Sequence, residues 1–245
     1  MDQVGHMQQL IESFRSQAEQ QQSTLAMDIL NDYEHLFQLY KQQTDLINRI
    51  WDVYELGQYE IAQNTLDPLE QVLYSTLISI NTLEKEVQTA ALKNYLDDLK
   101  AIINENLNEL KHVSIDVFPI CIQDLGAFGA IKSQYEMLKE TGKLSIDVFF
   151  EGAMKIQQRR AELLLFRSIQ YLIKMINRIN YEQPVTISLQ QNEQQVIMTL
   201  SGKQLFPQLQ QYEGFTLFAS FIEGIHGAKL EILSEQQLQL DVQLL

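Results

Sequence analysis

One cysteine, four prolines and ten glycines in 245 residues leave little material for several common designs. A lone thiol, Cys121, excludes a disulfide framework within the chain. It lies in an apolar run with no histidine nearby in sequence, so it reads as a buried structural thiol in a reducing compartment rather than as a nucleophile. Positive charge is also scarce: 18 Lys and Arg face 32 Asp and Glu, for a net charge of -14. The pI near 4.7 argues against nonspecific binding to nucleic acid or anionic membrane, which needs a basic patch. No segment reaches the ~18 consecutive apolar residues of a membrane span. The opening MDQVGHMQQ lacks the basic region and apolar core of a signal peptide. Zinc-ligand spacing, a GxSxG elbow and a P-loop are all missing. The carboxylates scatter over helix faces, and no metal is expected. The expectation is a cytoplasmic protein of one or two compact domains.

What is present is helical periodicity. Within QYEIAQNTLDPLEQVLYSTLISINTL, Leu66, Leu69, Leu73, Thr76, Ile80, Leu83 and then Val87 recur three and four apart. That spacing suits a helix packed along one seam. Pro68 lies inside the pattern and predicts a kink. A second helix carries Leu92, Leu96, Leu99, Ile103, Leu107, Leu110, Val113 and Val117 on one face. The polar run Glu84-Lys85-Glu86 and then Gln88-Thr89 predicts the bend between them. Such a hairpin usually pairs with a second copy into a four-helix bundle. Upstream, Leu30, Tyr33, Phe37, Tyr40, Thr44, Ile47, Trp51 and Tyr54 predict a long helix with an aromatic-rich stripe, suited to a coiled coil or an antiparallel bundle. Before it, Met7, Leu10 and Phe14 predict a short helix or arm. The seam slips phase between Tyr54 and Leu66, and Gly57 falls there, either as a joint or as a helix end.

The rest alternates in type. Segments 144–150, 185–189, 196–200, 230–233 and 238–242 predict strands, with helices over 157–180 and 215–225. Pro119 should end the second hairpin helix, with Asp124 or Gln123 capping a following helix that runs to Glu140. The fold class expected is α+β: an N-terminal coiled-coil helix over 1–57, a dimerising hairpin over 58–118, and a helix-covered mixed sheet over 119–245.

Two segments carry a resemblance. Ile61, Ala62, Asp67 and Gln71 match the phosphoacceptor-helix run RRIARELHDGPxQ of NarX/DegS-type sensor histidine kinases. Ser114, Asp116, Pro119, Asp124, Leu125, Gly126 and Ala130 match a second segment, IRxISxDLHPxxLDDLGLxxAL, at the same spacing. The resemblance spans about 58–245 and implies the ATP-binding sandwich shared by histidine kinases and gyrase. It also implies where chemistry should be. The phosphorylated histidine would precede Asp67, where this chain has Leu66. The helix Phe166 to Met175 resembles the one that supplies an acidic residue and a Mg2+-binding asparagine, but Tyr171 and Met175 occupy those positions. A thioether is a poor ligand for a hard cation. Asn177 and Asn180 are near but leave from other faces. Ser201 and Gly202 stand where a DxGxG turn would bind adenine. Gly214 through Gly227 keeps the frame of the next glycine motif, with His226 inside it and a short span where a lid would be. His6 and His35 precede the resembling region, and His112 lies off the apolar stripe.

These losses point to a non-enzymatic regulatory protein without cofactors, a homodimer that binds a response-regulator receiver domain or a sensor kinase. The candidate partner surface is Thr65, Leu66, Leu69, Glu70 and Leu73, with Leu66 either an anchor or a packed seam residue. A phosphotransferase or ATP-using kinase with unconventional residues, and a coiled-coil scaffold, are the alternatives.

Overall fold

A computed structural model describes residues 9–16, 24–140, 145–151, 156 and 158–244. A helix covers 9–16. Then come α1 (Thr24–Ile61), a π-helical turn (Ala62–Leu66), α2 (Asp67–Glu86), α3 (Ala90–Val117), α4 (Cys121–Glu140), β1 (Ile146–Glu151), α5 (Arg159–Arg178), β2 (Val185–Gln191), β3 (Gln195–Gly202), α6 (Leu205–Gln210), α7 (Glu213–Glu223), β4 (Ala228–Ser234) and β5 (Gln237–Gln243). The class is α+β, a helical N-terminal region followed by a mixed five-stranded sheet.

From Thr24 to Glu86 the helix is continuous, about 95 Å long at the α-helical rise. Gly57 does not end it. The predicted kink at Pro68 takes another form. A proline cannot donate to the carbonyl four residues back, and its ring crowds that carbonyl. The preceding turn widens instead, with the Asp67 N–H donating to the Ala62 carbonyl, and Pro68 enters α2 in its first turn. One extra residue in a turn is a phase slip, and it sits where the apolar seam slips in the sequence.

The α1 stripe is rotated from the expected one. Leu30, Phe37, Thr44, Asn48, Trp51 and Glu55 are buried, whereas Tyr33, Tyr40 and Tyr54 are exposed. A straight helix drifts against a seven-residue repeat, so the buried line moves around the cylinder. A second line of large apolar residues on α1, including Leu36, Leu39, Leu46 and Val53, faces outward. In the helix at 9–16, Ile11 is the inward residue and packs with Leu30 and Phe37; Leu10 and Phe14 are exposed. Met7 lies outside the described residues.

α2 and α3 form the antiparallel hairpin, with Val87–Thr89 extended between them. Ile80, Leu96 and Leu107 are buried, and Leu73, Leu77, Leu99, Ile103 and Leu110 are half-buried. Leu69, Leu83, Leu92 and Val113, expected on the seams, are exposed. α3 stops before Pro119, with Phe118 extended (φ -153°), as a residue preceding proline prefers. The helix beyond it differs from expectation. Asp124 lies inside the first turn of α4, and the backbone breaks at Gly126 (φ 71°, ψ 174°), a conformation open to glycine. The helix resumes with the Ala127 N–H donating to Glu162 Oε1 at 3.2 Å, so the cap comes from α5 and not from Gln123 or Asp124.

The sheet order is β1-β2-β3-β5-β4. β1 pairs parallel with β2, with α5 as the crossover, and the other pairs are antiparallel. Alternation puts Val185, Ile187, Leu189, Val196, Met198, Leu200, Leu238, Leu240 and Val242 on one buried face. That face meets Leu165, Phe166, Ile169, Leu172 and Ile176 of α5, together with the apolar residues of α6 and α7. The opposite face carries Thr186, Ser188, Thr199, Ser201, Gln239 and Asp241 and is half-exposed.

Candidate functional site

The structure places the sequence-derived positions in three settings. Leu66 closes the π-turn at 9% exposure and joins one hydrophobic cluster with Trp51, Ala62 and Phe118. Around it Thr65 and Leu69 are exposed, and Glu70 and Leu73 are half-buried. Leu66 therefore points into the molecule while its neighbours face out.

On α5 the two positions that should carry acid and asparagine diverge. Tyr171 is 47% exposed, whereas Met175 is 2% exposed and packed in the core. Asn177 is exposed, and Asn180 lies beyond the end of α5 in a left-handed conformation. The turn after β3 is closed by packing. A Cβ on Gly202 would meet Leu205 Cδ2 and Tyr181 Oη, each at 3.0 Å. A side chain at this position would press on both neighbours, which would have to give by a few tenths of an ångström. Tyr181 Oη donates to the Lys203 carbonyl at 2.8 Å and braces the turn, and burial pushes this phenol above its ordinary pKa. α6, which the sequence did not suggest, follows at once and buries Leu205, Phe206 and Leu209 completely. The segment between β3 and α7 is thus built into the core.

His112 is exposed on α3, and His35 is exposed on α1. His226 Nε2 lies 3.4 Å from Asp45 Oδ1. His6 lies outside the described residues. Among the described residues no three His, Cys, Asp or Glu side chains are grouped to hold a metal, and no single helix is long and apolar enough to cross a membrane. Cys121 is half-buried, and desolvation pushes its thiol above the ordinary range.

The sequence reading missed a polar clasp between α1 and the sheet half. Arg167 Nε and Nη2 donate to the two oxygens of Glu55 at 2.9 and 3.1 Å. Its guanidinium also donates to the carbonyls of Asp116 and Val117 and to Gln170 Oε1. Both side chains of the ion pair are nearly buried, so the bidentate geometry and the extra carbonyls offset the desolvation of the charges. One helical turn pair earlier, Asn48 donates to the Gly224 carbonyl at 3.0 Å and accepts from Arg160 at 2.5 Å and from the His226 N–H at 3.3 Å. Trp51 packs on Phe221 at 5.3 Å, and Arg159 lies over Tyr59. Asn48 and Glu55 fall off the stripe read from the sequence, and as buried polar residues they need partners from elsewhere in the fold.

Beside the clasp, α1, α5 and α7, with Asp116 of α3, line an open cleft of about 590 Å³ that includes Trp51, Tyr171, Lys174, Arg178, Phe218 and Phe221. The positions singled out in the sequence do not converge there: Tyr171 reaches the cleft, and Met175, Ser201, Gly202 and Leu66 do not.

No family model and no curated protein matches the chain. Among solved structures it is similar to the nucleotide-free catalytic domain of histidine kinase ThkA, at 18% identity and a TM-score of 0.32, over 46% of this chain and 91% of that one. It is similar to the blue-light activated histidine kinase of Erythrobacter litoralis EL346, at 12% identity and a TM-score of 0.40, over 74% of this chain and 60% of that one. It is also similar to the Acinetobacter baumannii histidine kinase AdeS, at 12% identity and a TM-score of 0.34, over 75% of this chain and 98% of that one. These scores are low, so the fold stands on its own strand order and the site on its own geometry.

Proposed function

We propose that this chain is a histidine-kinase-like regulator that binds a signalling partner and transfers no phosphate. The observation that supports the reading is Met175, which is 2% exposed in the core at the position where the resemblance expects an oxygen ligand for Mg2+. Gly202, walled by Leu205 and Tyr181, and Leu66, an inward alkyl side chain, support it from two other parts of the chain. In this reading the protein works as a homodimer in the cytoplasm. The hairpin leaves Val72, Ile78, Leu83, Leu92 and Ile102 exposed, an apolar surface that a second copy would cover. The partner is a response-regulator receiver domain or a sensor kinase, docking beside the π-turn on Thr65, Leu69, Glu70 and Leu73, with Leu66 supporting that surface from within.

Incubation with labelled MgATP tests the chemistry. Both the native protein and Leu66→His should stay unlabelled, because the histidine would restore a nucleophile without a nucleotide pocket. Acid-labile phosphate on His112 or His226 would defeat the reading. For the docking surface, Leu69→Asp should keep the native melting temperature and lose the partner, whereas Leu66→Asp should melt lower because it buries a charge. A receiver domain that binds Leu69→Asp at full strength would place docking elsewhere.

A further inference from the structure

We propose that the cleft between α1, α5 and α7 binds a small aromatic anion, a flat apolar ring system bearing one carboxylate. This deepens the regulator reading by giving it a signal input, and it rests on the absence of nucleotide binding in that reading. The cleft, open to solvent along one side, has a volume of about 590 Å³, within the range of small-molecule sites. Two aromatic pairs supply flat walls. Tyr171 and Phe218 stack at 5.7 Å with planes 17° apart, and Trp51 and Phe221 meet at 5.3 Å. Such walls take a planar ring by offset or edge contact.

Charge selects the other end of the ligand. Lys174 and Arg178 follow Tyr171 by three and seven residues on α5 and share its exposed face. Lys174 Nζ is 3.1 Å from Asp116 Oδ1, the one carboxylate in the lining. Arg178 is bonded to a neutral phenol, Tyr212 Oη, at 2.8 Å. Arg167 is committed to Glu55. The cleft therefore holds one cation more than its acids balance, in a chain of net charge -14. A carboxylate accepts two N–H bonds from a guanidinium. With Asp116 already bound to Lys174, the walls offer no set of oxygens for a metal-bridged polyphosphate.

Trp51 is the one tryptophan of the sequence, so its emission reports on this cleft directly. The full-length protein is titrated with 2-naphthoate, its neutral analogue 2-naphthamide, and MgADP. Saturable quenching by 2-naphthoate is expected, with the amide weaker by about tenfold, the worth of a charge-assisted bond. Arg178→Gln, which removes the unbalanced cation, should bind 2-naphthoate about tenfold more weakly. Leu217→Asp, an exposed position on the rim, should weaken it too by adding a negative charge. Equal affinity for acid and amide, or no saturation by millimolar 2-naphthoate, would overturn this proposal and leave the regulator reading intact. Displacement of 2-naphthoate by micromolar MgADP would overturn both. Affinity that falls as protein concentration rises would also overturn it, marking the cleft as covered by a second copy.

Discussion

The two halves of this molecule bury their apolar residues to very different degrees. In the sheet half, Phe166, Ile169, Leu200, Phe206 and Leu240 are fully buried. In the α2–α3 hairpin, Ile80, Leu96 and Leu107 are the buried apolar residues among the described ones, while Val72, Ile78 and Ile102 stand mostly exposed. The sheet half has a finished core. The hairpin has half of one, which is the expected condition of a helix pair whose remaining partners belong to another chain. Met175, Leu205 and Phe206 are part of the sheet half's core.

The comparison predicts unequal responses to mutation. Phe166→Ala opens a cavity in the finished core and should lower unfolding free energy by about 3–5 kcal/mol, measured by urea titration. Leu73 and Leu77 changed together to Glu should cost less in the monomer, since both are half-buried, but should convert dimers to monomers in sedimentation. Unchanged dimer mass would mean that the hairpin is not the shared surface. Glu55→Ala removes one side of the clasp. Arg167 keeps its bonds to two carbonyls and Gln170, so the loss should be about 2 kcal/mol. It should appear as earlier exchange of α1 amides, with the sheet unaffected. Gly126→Ala places a side chain at φ 71° and should cost about 1–3 kcal/mol.

The smallest effect expected is a pH slope. Burial raises the Tyr181 phenol above 10.0 in the folded state. Its contribution to stability is complete below the unfolded pKa and is lost as pH rises through the folded one. Melting temperature should therefore fall more steeply above about pH 10 in the native protein than in Tyr181→Phe. Parallel curves would remove the phenol as the cause.

Much of the sheet half was legible because its signals are local. Strict alternation in 185–189 and 196–200 fixes which side chains face the core, and polar turns at 190–195 mark the hairpin. Pro119 ends α3 for a reason confined to two residues. The features that escaped depend on distant partners. Gln123 and Asp124 have the right chemistry for a cap, but Glu162 holds the position. Tyr54 continues a heptad, but the buried residue is Glu55, because Arg167 is there to meet it. α6 is too short, and carries Pro207 within it, to show a period. Of the candidate site, Leu66, Tyr171, Met175, Ser201 and Gly202 could be singled out one by one through the resemblance. The cleft was not, since it is formed by three helices far apart in sequence.

The central proposal is that this chain binds no nucleotide. Isothermal titration of the full-length protein with MgATP tests it most directly. With Met175 packed in the core and Gly202 closed by Leu205, the account predicts no binding heat at any concentration up to the millimolar range. A saturating isotherm with a micromolar dissociation constant would contradict it.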